Sequence, residues 1–207
     1  MDVSNKTLAM FLVAAVVVSL VGTIISLNKL GTLTTTGYAT GTGRVELNVS
    51  TTTSIKFVLN TVNWSTGSVN SSGYWNCTLT TVGGHTAGCN GFNTWNESLV
   101  IENDGNTILS NVQVNSSAGN TTFPGGTQVY GGPLFMWNFS QNETSSCGSL
   151  LGSATWVDVN TSGVGTLVCQ GLDFLDANDT IRVGLYVNIP YTATPGLKTA
   201  TLTATGT

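Results

Sequence analysis

Charged residues are scarce in this chain: Asp, Glu, Lys and Arg make up 8% of 207 residues, against about 25% in an ordinary soluble domain. The six basic residues, Lys6, Lys29, Arg44, Lys56, Arg182 and Lys198, are spread along the sequence, and the net charge is −4. No basic patch exists to neutralise a polyphosphate backbone, which excludes nucleic acid as a partner. Histidine is nearly absent. With His85 alone and no G-x-S-x-G, the sequence offers no nucleophile with a base to activate it, and an enzyme is not expected. Beyond the N-terminal region no long 3.6-residue apolar period occurs, which argues against a helical domain.

What is present begins with an uncharged run from Leu8 to Leu27, LAMFLVAAVVVSLVGTIISL. Twenty residues of helix cover about 30 Å, the hydrocarbon thickness of a bilayer. The run exceeds the roughly 7–15 residues of a signal-peptide core, and no A-x-A-like cleavage site follows closely. An uncleaved anchor is therefore the first reading and a cleaved signal the second. Lys6 and Lys29 flank it almost symmetrically, so charge does not set its orientation.

Four cysteines, Cys77, Cys89, Cys147 and Cys169, follow this export-type segment. An even number in such a chain implies two disulfides. Three pairings are open, of which the local ones, Cys77–Cys89 and Cys147–Cys169, are favoured. Glycosylation acceptors of the form N-x-[ST] fall at Asn48, Asn63, Asn70, Asn76, Asn96, Asn115, Asn120, Asn138, Asn142, Asn160 and Asn178. Asn5 also matches, ahead of the apolar run. A chain so rich in Ser and Thr produces some matches by chance, but the excess points to an exported, glycosylated surface.

From residue 44 onward apolar residues alternate with polar ones. The alternation predicts strands over Arg44–Ser50, Ser54–Asn60, Leu99–Glu102, Ile108–Val114, Leu134–Phe139, Thr180–Pro190 and Leu197–Thr205. Turn signals such as Asn103-Asp104-Gly105-Asn106 and Pro195-Gly196 separate them. Roughly eight to ten short strands at this spacing imply a mainly β, antiparallel sandwich of immunoglobulin-like or jelly-roll-like type. The division expected is a hydrophobic helix over 1–30, a Thr/Gly linker over 31–43 and an extracellular sandwich over 44–207. The linker would act as a tether or pair with a sheet edge.

Candidate chemistry is thin. Asp173, Asp176 and Asp179, with Asn178, are the candidates for a calcium loop; the competing reading is that they cap turns by bonding their own backbone. No other cofactor is indicated. Cys77, His85 and Cys89 lack a fourth zinc ligand, and their spacing is wide for such a site. Of the five tryptophans, Trp64, Trp95, Trp137 and Trp156 lie beside strand-like residues and are assigned to the core. An exposed Trp would stack on sugars.

The segment SLVIENDGNTILSNVQVNSS resembles the strand–turn–strand of archaeal surface proteins with immunoglobulin-like or camelysin-like sandwiches, and IPYTATPGLKTATLTATGT resembles their closing hairpin. The plan of apolar helix, Thr/Gly linker and Cys-bearing sandwich is also similar to that of archaeal pilins and archaellins. Those are processed at a Lys/Arg-Gly-type junction just before the helix, which Lys6-Thr7-Leu8-Ala9 does not match. Camelysin-like fibre proteins instead insert an N-terminal strand into the next subunit, a role open to Thr32–Arg44. The resemblance implies a structural cell-surface glycoprotein, anchored in the membrane or built into a surface filament or envelope lattice, whose partners are copies of itself and the membrane. The alternative is a monomeric membrane-anchored adhesin that recognises surface glycans through exposed Trp or a calcium loop.

Overall fold

The computed structural model describes residues 4–31, 46–127, 135–152, 155–161 and 163–207. The chain divides into two compact units, Met1–Asn48 and Val49–Thr207. The first contains one helix, α1 (Asn5–Gly31). Ser4 caps it, its hydroxyl accepting the Lys6 N–H at 3.3 Å while its carbonyl starts the ladder to Leu8. The helix extends past both ends of the apolar run read from the sequence, to 27 residues, or about 40 Å. The Thr/Gly linker expected at 31–43 lies outside the described residues beyond Gly31, as do Arg44 and Val45.

The second unit is mainly β and antiparallel. Its strands are β1 (Lys56–Leu59), β2 (Ser68–Val69), β3 (Asn76–Thr80), β4 (Gly84–His85), β5 (Cys89–Asn90), β6 (Leu99–Glu102), β7 (Val112–Ser116), β8 (Phe135–Gln141), β9 (Cys147–Leu150), β10 (Val157–Asp158), β11 (Thr166–Leu172), β12 (Thr180–Pro190) and β13 (Leu202–Gly206). A seven-stranded sheet runs β1-β6-β12-β3-β4, with β8 and β10 joined through β12; a four-stranded sheet runs β13-β7-β11-β9; β2 and β5 form a small third sheet.

The strongest alternation in the sequence, on β12, becomes the axis of the larger sheet. Ile181, Val183, Leu185 and Val187 turn inward and are 5% exposed or less, because a strand places every second side chain on one face. On one side Ile181–Val187 pairs with β8. On the other, Thr180–Val183 pairs with β6 and Tyr186–Pro190 with β3. Where β6 gives way to β3, Leu185 would lose a partner for its N–H. The buried Thr81 hydroxyl takes that N–H at 2.8 Å, and the Thr81 N–H donates to the Leu185 carbonyl at 3.0 Å. One core serves both large sheets: Leu79, Ile101, Trp137, Phe139 and Ile181 from the first cluster with Val112, Val114, Val168 and Leu172 from the second.

Several sequence expectations need correction. Residues 46–50 form no strand, and Leu47 and Val49 stand 85% and 71% exposed; among the described residues the alternation there meets no partner strand. The last strand starts at Leu202 rather than Leu197, since Thr201 exchanges hydrogen bonds with Ser117 outside the ladder. The strand expected at Ile108–Val114 begins at Val112, with Leu109 held by an isolated bridge to Leu172. Leu134 lies outside the described residues. The short strands β2, β4, β5 and β10 and the Gly-containing β9 and β11 carry too little alternation to have been expected.

Candidate functional site

Three features bear on function: the helix, the distribution of acceptor asparagines, and a group of acidic residues at one end of β12. Every described side chain of α1 is exposed, and large apolar residues occur all round it, from Leu8, Phe11 and Leu12 to Ile24, Ile25 and Leu27. A polar stripe, which an amphipathic surface helix would show, is missing from its described residues. Its length and composition suffice to cross a membrane. The Thr23 hydroxyl donates to the Ser19 carbonyl at 2.9 Å, so this polar group is satisfied within the helix, as an apolar medium requires.

The eleven acceptor sites read from the sequence divide by environment. Asn48, Asn63, Asn70, Asn96 and Asn160 are exposed, whereas Asn76, Asn115, Asn120, Asn138, Asn142 and Asn178 are half-buried. Asn138 lies across from Gly184 on β12, where an added Cβ would meet its amide oxygen, so a larger residue there requires the Asn138 side chain to move.

The acidic candidates behave differently from one another. Asp173 caps its own turn: one carboxylate oxygen accepts the Phe174 N–H at 2.7 Å and the other the Asn178 amide at 3.0 Å. Asp176 is exposed. Asp179 is buried, and its carboxyl is pushed up to about 6, chiefly by burial and then by the charges of Glu102, Glu143 and Asp176. Among the described residues no three His, Cys, Asp or Glu side chains are grouped to hold a metal ion. Sequence reasoning missed Glu143, which reaches over from the loop after β8 to accept the N–H groups of Asp179 and Thr180 at 3.0 and 3.2 Å; nothing local in the sequence marks a contact across 36 residues.

Asn103 organises the same end of the fold. It is fully buried and donates to the carbonyls of Thr107, Leu172 and Asp173 at 2.9, 3.2 and 2.9 Å. Its own oxygen accepts the Gly105 N–H at 3.1 Å. The Asn-Asp-Gly-Asn turn is thus tied to the end of β11. On the neighbouring edge Lys56 bridges Glu102 at 2.8 Å and Asp104 at 3.0 Å. These contacts raise Lys56, Glu102 contributing most, while hydrogen bonds from Ser54 and Lys56 lower Asp104.

Disulfides join Cys77 to Cys89 and Cys147 to Cys169. The first links β3 to β5 and so removes both thiols from any zinc site with His85, which is exposed on the edge strand β4. Trp137 is fully buried, and Trp64, Trp95 and Trp156 are half-buried. Trp75 is 53% exposed and meets the exposed Tyr191 edge to face at 5.6 Å. A cavity of about 420 Å³ opens between Trp64, Phe57, Phe123 and the segment Leu197–Leu202, with Asn63 on its lining.

In comparison with known proteins, the chain matches no protein-family model, no curated protein and no solved structure.

Proposed function

We propose that the chain is a structural cell-surface glycoprotein that assembles with copies of itself into an extracellular filament or envelope lattice. The observation that carries this reading is α1: 27 residues, apolar on every described face and exposed at every described side chain. At roughly 25 cal/mol per Å² of apolar surface, such a helix is strongly driven out of water, so a bilayer or a bundle of like helices must surround it. Leu47 and Val49 are further exposed apolar side chains. The two disulfides fit an oxidising exterior. The two large sheets, sharing one core, are read as a sandwich of immunoglobulin-like or jelly-roll-like type, in keeping with the archaeal surface proteins the sequence resembles. Among the described residues β13 pairs only with β7, and a free strand edge is a natural contact for another copy.

The test is negative-stain imaging of the producing cells and of material sheared from them, with antibody against residues 49–207. Ordered fibres or arrays carrying the label support the proposal; label confined to smooth membrane, with only monomers released by detergent, would contradict it. One observation favours a second reading, a membrane-anchored adhesin that binds glycans: the exposed Trp75–Tyr191 pair, whose rings offer apolar faces to a sugar. That reading requires glycan binding lost in Trp75→Ala.

A further inference from the structure

We infer that Asn63 and Asn70 carry N-linked glycans whereas Asn142 and Asn178, which match the same sequence pattern, do not; the inference rests on the exported-glycoprotein reading above. Transfer of a sugar to asparagine uses the side-chain amide nitrogen. That Nδ2 attacks the anomeric carbon of a phosphate-activated glycosyl donor, a C–N bond forms, and the C–O bond to phosphate breaks. The phosphate leaves with the electron pair, and the amide gives up one proton to a base of the transferring enzyme. An accepting asparagine therefore needs a free Nδ2, an accessible hydroxyl two residues on, and open solvent for the sugar that stays behind.

Asn63 and Asn70 meet all three conditions in the same way. Each uses its side-chain oxygen to accept the backbone N–H of the serine two residues later, at 2.8 Å for Ser65 and 3.0 Å for Ser72. This local turn engages the amide oxygen with the backbone and leaves the nitrogen unused. Neither Nδ2 has a hydrogen-bond partner among the described residues. Asn63, Ser65, Asn70 and Ser72 are all exposed, on the loops that flank the short strand β2.

Asn178 fails all three conditions, and Asn142, whose partner hydroxyl on Thr144 is exposed, fails the other two. The Asn142 nitrogen donates to the Thr180 hydroxyl at 2.9 Å, and its oxygen accepts from Arg182 Nε. The Asn178 nitrogen donates to Asp173 at 3.0 Å, and its partner hydroxyl, Thr180, is 7% exposed. Both amides are half-buried, and a sugar on either nitrogen would have to fit among these partners beside the buried Asp179. Sequence pattern alone treats the four sites as equal; hydrogen bonding separates them.

The experiment uses the full chain recovered from the cells that make it. Trypsin is unsuitable, because no Lys or Arg lies between Lys56 and Arg182. Chymotryptic cleavage after Trp64 and Tyr74 places Asn63 and Asn70 on separate peptides, and site-localising mass spectrometry reads each. The expected result is sugar mass on the Asn63 and Asn70 peptides and unmodified Asn142 and Asn178. A bare Asn63 or Asn70, or sugar on Asn142 or Asn178, overturns the assignment while leaving the glycoprotein reading intact. No sugar on any of the acceptor sites overturns the glycoprotein reading itself. Ser65→Gly provides a control that preserves the fold, since Ser65 sits at φ 62°, a conformation glycine adopts freely. It should remove the sugar from Asn63 alone; retained sugar at Asn63 would also overturn the assignment.

Discussion

Replacing Asp179 by Asn removes a carboxyl that the fold holds in an unfavourable place. In the unfolded chain an aspartate titrates near 3.9; in the folded protein Asp179 is pushed up to about 6 by burial and by Glu102, Glu143 and Asp176. A raised acid pKa means the folded state binds the proton more tightly than the unfolded one. Stability is therefore fully present below about pH 4, falls as pH rises toward 6, and is flat above that. A difference of about 2 pKa units corresponds to roughly 3 kcal/mol. For a domain of this size that is roughly 6–12 °C in Tm. Asp179→Asn, which keeps the shape and removes the charge, should be more stable than the parent at pH 7 and equal to it at pH 3.5. The assay is thermal unfolding of the full chain in detergent micelles at half-unit pH steps, read as mutant minus parent so that other titrating groups, such as the lowered Asp104, cancel. A difference that stays constant from pH 3.5 to 7 would refute the reasoning.

Asn103→Ala removes two amide protons shared among the Thr107, Leu172 and Asp173 carbonyls, of which Leu172 keeps the Leu109 N–H, and the acceptor of the Gly105 N–H; it should cost about 3 kcal/mol, at about 1 kcal/mol per hydrogen bond. A shift of the urea midpoint corresponding to less than about 1 kcal/mol would mean that water replaces it. Thr81→Val keeps the side-chain shape but orphans the buried Leu185 N–H, for an expected loss of about 1–3 kcal/mol; an unchanged Tm would show that the join between β6 and β3 needs no hydroxyl. Removing Cys147 and Cys169 together, as the double Ala variant, reopens a loop of 22-residue separation. The expected cost is about 3 kcal/mol, and equal stability of reduced and oxidised parent would contradict it.

How much of this was legible in the sequence depended on whether the cause was local. The helix declared itself through an uncharged run, and β12 through five alternating apolar residues, because a period is a property of neighbouring positions. The Asn103 turn was also visible, but not that its amide would be buried and bound to Leu172 and Asp173, which lie 69 and 70 residues away. The exposed 46–50 segment shows the opposite failure: alternation favours a strand but does not supply a partner. Glu143 and Thr81 act through contacts 36 and 104 residues distant, for which single residues give no signal. The N-x-[ST] asparagines were all visible as a pattern, while the sorting inferred for them rests on the hydrogen bonds of Asn142 and Asn178. Trp75 was the one tryptophan not assigned to the core by its neighbours, and it is 53% exposed.

The central claim, that α1 serves an assembly of copies, is tested most directly by purifying the full chain in detergent, removing the detergent without added lipid, and imaging the product by cryo-electron microscopy. The account predicts ordered polymers or sheets whose subunits retain Leu8–Leu27 by intact mass. Amorphous aggregate, or particles that order only as isolated single copies once lipid is returned, would contradict it.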